Sequence, residues 1–278
     1  MKKISRRSFM AAAAVSVAAL ALTACGGSAS SAASSVASSA ASSEAVSSAA
    51  AAELTTVEVG KLTMATNAAF PPYEMTTDAG EFEGIDVDTA KAIAEKLGLE
   101  LQIDDMDFDA ALLSVQQGKA DIVMAGVTVT DERKAVMDFS DSYATGIQSI
   151  IVPEGSDIAS PDDLAGKKIG TQRGTTGYIY CSDDFGDENV VAYDNGLTAV
   201  QALNNGQVDA VVIDNAPAQE FVAANPGLKV LDTSYAEEDY AIGMAKGSAL
   251  EDAVNKALEE LKADGTLQAI VDKYINAN

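Results

Sequence analysis

The chain has 278 residues, of which 42 are acidic and 18 are basic, and its formal net charge is −24. This charge excludes nucleic acid as a partner, because binding to phosphates depends on basic side chains. The chain has no histidine and two cysteines, which excludes zinc sites of the usual Cys/His type and catalytic triads built on histidine. We expect no metal and no cofactor.

The N-terminus has the order of a secretory signal. Four of the first seven residues are basic, and an uncharged, alanine-rich run follows over residues 9–24. This run is shorter than the ~20 residues that a membrane-spanning helix needs, so residues 1–24 are predicted to be a signal peptide. The segment Ser5–Met10 resembles a twin-arginine export signal, but the basic segment of an ordinary secretory signal explains the same arginines.

The signal ends in Leu22-Thr23-Ala24-Cys25, which resembles the lipobox of bacterial lipoproteins. The resemblance implies that Cys25 is diacylated and becomes the new N-terminus, and two acyl chains give stable anchoring. The residues that follow, up to residue 56, are mostly serine and alanine and are predicted to form a tether. Cys181 then remains without an intramolecular partner, and we expect it to be a buried thiol.

From residue 57 onward, short apolar or β-branched runs alternate with helical patterns, which favours an α/β fold with mainly parallel strands. Asp86 is predicted to cap a helix that ends at Gly98, and Ser248 to open another. The predicted strands are 59–66, 99–104, 121–125, 146–152, 168–171, 208–213, 228–231 and 240–245.

Residues 113–124 and 201–212 share a pattern in which a helix is followed by glycine, two residues, aspartate and a strand. Gly118 and Asp121 correspond to Gly206 and Asp209. Two similar lobes explain this repeat, but helix-glycine-strand units also recur in any α/β protein. The repeat alone leaves both interpretations open.

In open α/β sheets, ligands bind in the crevice beyond the carboxyl ends of the strands. Polar and aromatic residues follow four of the predicted strands. They are Asn67 and Phe70 after the first, Gly126, Thr128 and Arg133 after the third, Gln172 and Thr176 after the fifth, and Asp214 after the sixth.

This set contains one cation and one anion that suit a zwitterionic α-amino acid. The guanidinium of Arg133 can hold a carboxylate through two hydrogen bonds, and Asp214 can accept from an ammonium group. The hydroxyls of Thr128 and Thr176 would complete the carboxylate site. Taken singly, Arg133 is explained equally by a surface ion pair, and Asp214 by an N-cap.

Four segments carry a family resemblance: ATNAAFPPYE at 65–74, FEGIDVDTAKAIAEKLG at 82–98, AGVTVTDERK at 125–134 and VDAVVIDNAP at 208–217. With them, the chain from about residue 57 resembles the polar amino acid substrate-binding proteins of ABC transporters. The resemblance implies two α/β lobes, residues 57–147 plus 243–278 and residues 148–242. Two crossover strands, near Ile147–Val152 and Tyr240–Met244, would join the lobes, and the ligand would be enclosed between them by hinge closure.

By position in the family motifs, Arg133, Thr128 and Gly126 are expected to hold the ligand's carboxylate, with help from Thr176. Asp214 would hold its ammonium group. The ligand would be flanked by Phe70 and Phe108, and its side chain would face Asn67 and Gln172. The expected partners are ABC permease subunits and the membrane, at whose outer face the protein would act as an anchored monomer.

Asn67 and Gln172 offer amide groups and no charge, so the sequence predicts a neutral polar amino acid as ligand. Glu74 follows two prolines and is expected at the rim. Arg173, beside the cavity, makes an acidic side chain the second choice. Two other functions stay open on this fold: an enzyme resembling cyclohexadienyl dehydratases, which would need a cleft carboxyl with a raised pKa, and a ligand-sensing module.

Overall fold

The structure, a computed structural model, describes residues 54–275. The predicted signal peptide, Cys25 and nearly all of the tether lie outside the described residues and stay predictions. The strands are β1 (Lys61–Thr66), β2 (Ala69–Phe70), β3 (Glu74–Thr76), β4 (Phe82–Glu83), β5 (Glu100–Asp105), β6 (Ile122–Val123), β7 (Met137–Phe139), β8 (Ala144–Pro153), β9 (Ile169–Gln172), β10 (Val190–Tyr193), β11 (Ala210–Asp214), β12 (Leu228–Val230), β13 (Ala236–Tyr240) and β14 (Gly243–Ala245). The α-helices are α1 (Ile85–Leu97), α2 (Phe108–Gln116), α3 (Asp131–Lys134), α4 (Thr176–Phe185), α5 (Gly196–Asn204), α6 (Asn215–Ala224), α7 (Glu251–Ala263) and α8 (Thr266–Tyr274), and Pro161–Leu164 and Asp187–Asn189 form 3-10 turns.

The framework consists of two α/β lobes, as predicted, and the sheet of each lobe is mixed where mainly parallel strands were expected. The first has the order β5-β1-β6-β14-β7, with β1 parallel to both of its neighbours and β14 antiparallel to both of its own. The second has the order β10-β9-β11-β8-β12, in which β10, β9 and β11 are parallel and β8 runs against β11, β12 and β13. Helices cover the sheets, which is why β1, β9 and β11 are buried along most of their length.

The chain passes between the two sheets twice. It leaves the first sheet after Phe139 and joins the second at Ala144, and it returns between Tyr240 and Gly243. The expected crossover at Ile147–Val152 is therefore misplaced, because those residues lie inside β8 of the second sheet. The lobe boundaries at residues 147 and 243 stay predictions.

Helix α1 ends as predicted but does not begin as predicted. Gly98 adopts a left-handed conformation, with φ of 70°, and its N–H donates to the helix's last turn, which only glycine does without strain. The N-cap, however, is Gly84, and Asp86 lies within the first turn. Asp86 is fully buried and makes no capping bond, because its carboxylate points to Gly126 and Tyr143.

The two copies of the internal repeat have the same local geometry. Gly118 and Gly206 take left-handed φ values of 65° and 66°. The carboxylate of Asp121 accepts from the backbone N–H of Thr63 at 2.7 Å, and that of Asp209 accepts from the N–H of Lys168 at 2.7 Å. Each aspartate therefore ties the end of its turn to a neighbouring strand of its own sheet.

Several short strands were not predicted from the sequence. They are β7, β10, and the separate three-stranded antiparallel sheet of β2, β3 and β4. The predicted strand 240–245 also proves to be two strands, β13 and β14, which belong to different sheets. None of the helices within residues 54–275 has the length and apolar composition that a membrane span requires.

Candidate functional site

One cavity lies at the ends of strands from both sheets. All nine residues predicted to contact a ligand line it: Asn67, Phe70, Phe108, Gly126, Thr128, Arg133, Gln172, Thr176 and Asp214. The structure thus brings these residues together, and their contact with a ligand stays a proposal. Six residues that were not predicted also line it: Glu74, Ala125, Gln148, Thr175, Ile213 and Tyr240.

Arg133 is held rigidly on one wall of the cavity. Thr130 caps the short helix α3 by accepting from the Arg133 N–H at 3.2 Å. The guanidinium donates from Nη1 to the Thr128 carbonyl at 2.7 Å and from Nη2 to the Gly174 carbonyl at 3.1 Å. It also lies 5.4 Å from the centre of the Phe108 ring. Two of its five N–H donors are engaged in these contacts, so others remain for a carboxylate.

Arg133 is 8 % exposed. Burial lowers its pKa from the ordinary value, and the nearby carboxylate of Glu238 opposes that shift. A guanidinium stays charged at any physiological pH. The sequence left open that Arg133 forms a surface ion pair. In the structure, its guanidinium instead donates to two backbone carbonyls.

Asp214 ends β11 and is both an N-cap and a cavity residue. Its carboxylate accepts from the Ala216 N–H at 3.1 Å, which caps α6, and from the Ile147 N–H at 2.7 Å. Burial raises the pKa of Asp214 to about 6, and a hydrogen bond from Tyr240 and the two backbone bonds oppose that shift. The capping role and the predicted binding role are therefore compatible, because a carboxylate can accept several hydrogen bonds.

Two amide side chains meet across the cavity. Nε2 of Gln172 donates to Oδ1 of Asn67 at 2.9 Å, and Nδ2 of Asn67 donates to the Met106 carbonyl at 2.9 Å. Asn67 follows the first sheet's β1, and Gln172 ends the second sheet's β9. This contact joins the two lobes at the place where the ligand side chain was expected.

Glu238 on β13 is a buried carboxylate that sequence reasoning missed. Its Oε2 accepts from the Thr128 hydroxyl at 3.1 Å, from the Thr176 hydroxyl at 3.0 Å and from Nε2 of Gln148 at 2.9 Å. Each hydroxyl has a single proton, so Glu238 here accepts the protons of both hydroxyls that were expected to help hold the ligand's carboxylate. The sequence carried no signal for it, because it lies in the acidic run Glu237-Glu238-Asp239, which is typical of a solvated face.

The position of Glu74 differs from the predicted one. It was placed at the rim, but it is 1 % exposed and lines the cavity. Neither of its oxygens receives a hydrogen bond from an N–H or O–H donor of the described residues. Burial, and next the charge of Asp86, raise the pKa of Glu74 well above its ordinary value.

The register of the small sheet explains the position of Glu74. Phe70 on β2 and Glu74 on β3 are direct cross-strand partners, and such partners point to the same face of a sheet. Since Phe70 faces the cavity, Glu74 does so too. The signal was present in the sequence as a tight turn, Pro71-Pro72-Tyr73, between the two residues.

Arg173 does not line the cavity. Its side chain is half exposed, and its Nη2 lies 3.2 Å from Oδ1 of Asp194. The expectation that Arg173 favours an acidic ligand therefore lacks its structural basis. Arg133 is the single cation among the residues that line the cavity in the described part of the chain.

The family model of bacterial extracellular solute-binding proteins, family 3, matches residues 62–277. A probable histidine-binding protein of Neisseria gonorrhoeae is 35% identical over 272 residues, which cover 95% of this chain and 94% of that protein. Two solved structures are of an ancestral arginine-binding protein. The arginine-bound structure has a TM-score of 0.74 and the glutamine-bound structure one of 0.75; both are 44% identical and cover 78% of this chain, and this chain covers 99% and 98% of theirs.

Proposed function

Because this chain belongs to the bacterial extracellular solute-binding proteins, family 3, we propose that its cavity captures an amino acid and that the protein delivers it to an ABC permease. The observation that carries the proposal is the presence of Arg133 and Asp214 on one buried cavity. A zwitterion needs a donor for its carboxylate and an acceptor for its ammonium group, and these two residues supply both. The hydroxyls of Thr128 and Thr176 lie beside them, 3.4 Å apart.

We propose a cationic side chain for the ligand, with arginine as the first candidate. The prediction of a neutral polar ligand assumed that no carboxylate faces the ligand side chain, and the buried Glu74 removes that assumption. A buried carboxyl without a donor is unfavourable, and a guanidinium would give it a charge-assisted pair. The ancestral relative is bound to arginine in one solved structure and to glutamine in another, so the choice of a cationic side chain rests on Glu74. No cation of the described cavity lining except Arg133 would face an acidic ligand.

Location and anchoring are also part of the proposal. The protein would act at the outer face of the cytoplasmic membrane, held by the lipid on Cys25 and lifted from it by the Ser/Ala tether. Diacylation suits this role, because two acyl chains hold a protein at the membrane stably. Permease subunits are the expected protein partner.

A second candidate is the acid-assisted elimination of a cyclohexadienyl dehydratase, and one observation favours it. Such an enzyme needs a cleft carboxyl that keeps its proton near neutral pH, and burial raises the pKa of both Glu74 and Asp214. Incubation with prephenate and with arogenate, followed by product analysis, tests it directly. We expect no product, and turnover above a Glu74→Gln control would establish the enzyme instead.

The experiment that tests the binding function is a thermal-shift and calorimetric screen of the twenty amino acids plus cystine. A ligand at 100 times its dissociation constant adds about 2.7 kcal/mol to the free energy of unfolding. We expect arginine to give the largest shift and agmatine, which lacks the α-carboxylate, to give none. If no amino acid raises the melting temperature, the binding function is wrong; if serine or glutamate gives the largest shift, the assignment of Glu74 is wrong.

A further inference from the structure

Glu74 lines the cavity at the proposed side-chain site, and a second carboxyl group, that of Asp86, lies behind it. Both residues are completely buried, with exposures of 1 % and 0 %. The Asp86 N–H donates to the Tyr73 carbonyl at 2.8 Å, which places Asp86 beside Glu74, and each carboxyl group shifts the pKa of the other. Two ionised carboxylates buried side by side repel each other, and neither has a proton to donate. A single proton between them turns the repulsion into a hydrogen bond.

The surroundings leave Glu74 as the group that carries the proton. Asp86 accepts from the Tyr143 hydroxyl at 2.7 Å and from the Gly126 N–H at 3.0 Å, and hydrogen bonds of this kind stabilise an ionised carboxylate. Glu74 has no such donor among the described residues. Burial of Asp86 raises its own pKa to about 6 despite those two bonds.

The other charged groups around the pair do not replace the proton. Asp105, on β5, adds a further negative charge that raises the pKa of Glu74. Tyr73 and Tyr143 are neutral at physiological pH, because burial raises their pKa values further above the ordinary range. Within residues 54–275 no salt bridge involves either carboxyl group, and the hydrogen bonds of Arg133 go to backbone carbonyls.

We propose that Glu74 and Asp86 share one proton in the free protein, that a cationic side chain displaces this proton to solvent, and that a neutral side chain leaves it in place. This inference rests on the proposed binding function. The charges balance: the neutral acid and the cation become a carboxylate paired with the cation, and one proton passes to the buffer. Glu74 can then serve either ligand class, as a carboxylate toward a guanidinium or as an acid toward a neutral group.

The consequence is a preference that depends on pH. When binding releases one proton, the association constant rises tenfold for each pH unit, as long as the pH lies below the pKa of Glu74 in the free protein. A neutral ligand lacks this dependence. The ratio of arginine affinity to the affinity for L-citrulline, its neutral isostere, should therefore rise up to tenfold from pH 6.5 to pH 7.5.

The decisive measurement is calorimetry of L-arginine and L-citrulline at pH 7 in phosphate and in Tris, two buffers with different heats of ionisation. The difference in apparent binding enthalpy between the buffers gives the number of protons released. Asp214 contacts the α-ammonium group in either complex, so any proton from it cancels between the two ligands. We expect close to one proton more for arginine than for citrulline.

Two variants separate this proposal from a merely structural role of Glu74. Glu74→Gln keeps a hydrogen bond to Asp86 but has no proton to release, so arginine binding should weaken at least tenfold and become independent of the buffer. Glu81→Gln, which alters an exposed glutamate of the nearby loop, should behave as the wild type does. The wild-type pH series gives the same answer if Glu74→Gln does not fold.

The proposal would be overturned if arginine released the same number of protons as citrulline on binding, or if the ratio of the two affinities did not change with pH. Either result would leave the binding function intact. If citrulline does not bind, the comparison is made between arginine in the wild type and in Glu74→Gln. Absence of arginine binding in the wild type would refute the proposed cationic ligand, and this inference would fail with it.

Discussion

Replacing Arg133 with alanine removes the one cation that lines the cavity among the described residues. Truncating one partner of a buried, hydrogen-bonded charge pair costs about 2–5 kcal/mol, which is a loss of roughly 30-fold to several thousand-fold in affinity for arginine. The structure supports the upper part of this range, since Arg133 is buried and its orientation is fixed by Thr128 and Gly174. Arg133→Lys keeps the charge but loses the planar fork, so we expect an intermediate affinity.

The measurement is calorimetry with arginine and with agmatine, and a thermal melt of each variant checks the fold. Arg173→Ala is the matched control, because Arg173 is half exposed and pairs with Asp194 outside the cavity; its affinity should stay within about threefold of the wild type. Arg133→Ala should also lose the preference for arginine over agmatine, since only the α-carboxylate distinguishes the two. A folded Arg133→Ala variant that keeps this preference would refute the placement of the carboxylate site.

Three further perturbations test other parts of the molecule. Gly126→Ala should weaken arginine binding at least tenfold, because a Cβ there would lie 2.9 Å from Phe70. The control Gly118→Ala has the same left-handed strain, with φ of 65°, and open space around the new methyl. It should lose about 1 kcal/mol of stability and keep its affinity, whereas Gly126→Ala should lose more stability because the clash with Phe70 adds to the strain; calorimetry and thermal melts measure both. The raised pKa of Asp86, about 6 in the folded protein, contributes stability that is complete below about pH 4 and is lost as the pH rises through 6, on the order of 3 kcal/mol. Asp86→Asn should flatten this decline in a pH series of urea unfolding, and an unchanged slope would contradict it. Cys25→Ser should move the protein out of the membrane fraction without changing its affinity for arginine, and persistent anchoring in fractionated cells would disprove the predicted lipid attachment.

The strands β1, β5, β8 and β11 could be predicted from the sequence because they are long enough to show their composition. The β1 and β11 runs are mostly buried, and both were placed within two residues of their observed bounds. The ends of these strands led directly to Asn67 and Asp214. This success follows from a general property of α/β sheets, in which the carboxyl ends of parallel strands point toward the same crevice.

The elements that escaped prediction are short or depend on distant partners. The strand β7 has three residues, and β2 and β4 have two each, so no periodicity can be counted in them. The strand β13 contains three consecutive acidic residues, and only Glu238 among them is buried. Its burial depends on the hydroxyls of Thr128 and Thr176, which lie 110 and 62 residues away in the chain. A local pattern cannot report such a contact.

The contrast between long strands and short strands also applies to the residues proposed to bind the ligand. The groups that suit any α-amino acid, Arg133 and Asp214, follow strands of the main sheets and could be found from sequence. Glu74, which we propose distinguishes one side chain from another, lies on a three-residue strand of the small sheet, and its orientation is set by one cross-strand pair with Phe70. We therefore expect a change in this turn to alter the ligand without disturbing either lobe. Exchange of residues 67–76 with those of a relative that binds a neutral amino acid should therefore transfer specificity and leave the melting temperature of the ligand-free protein nearly unchanged. If the exchanged protein still prefers arginine, specificity resides instead in Gln172 and its neighbours on the second lobe.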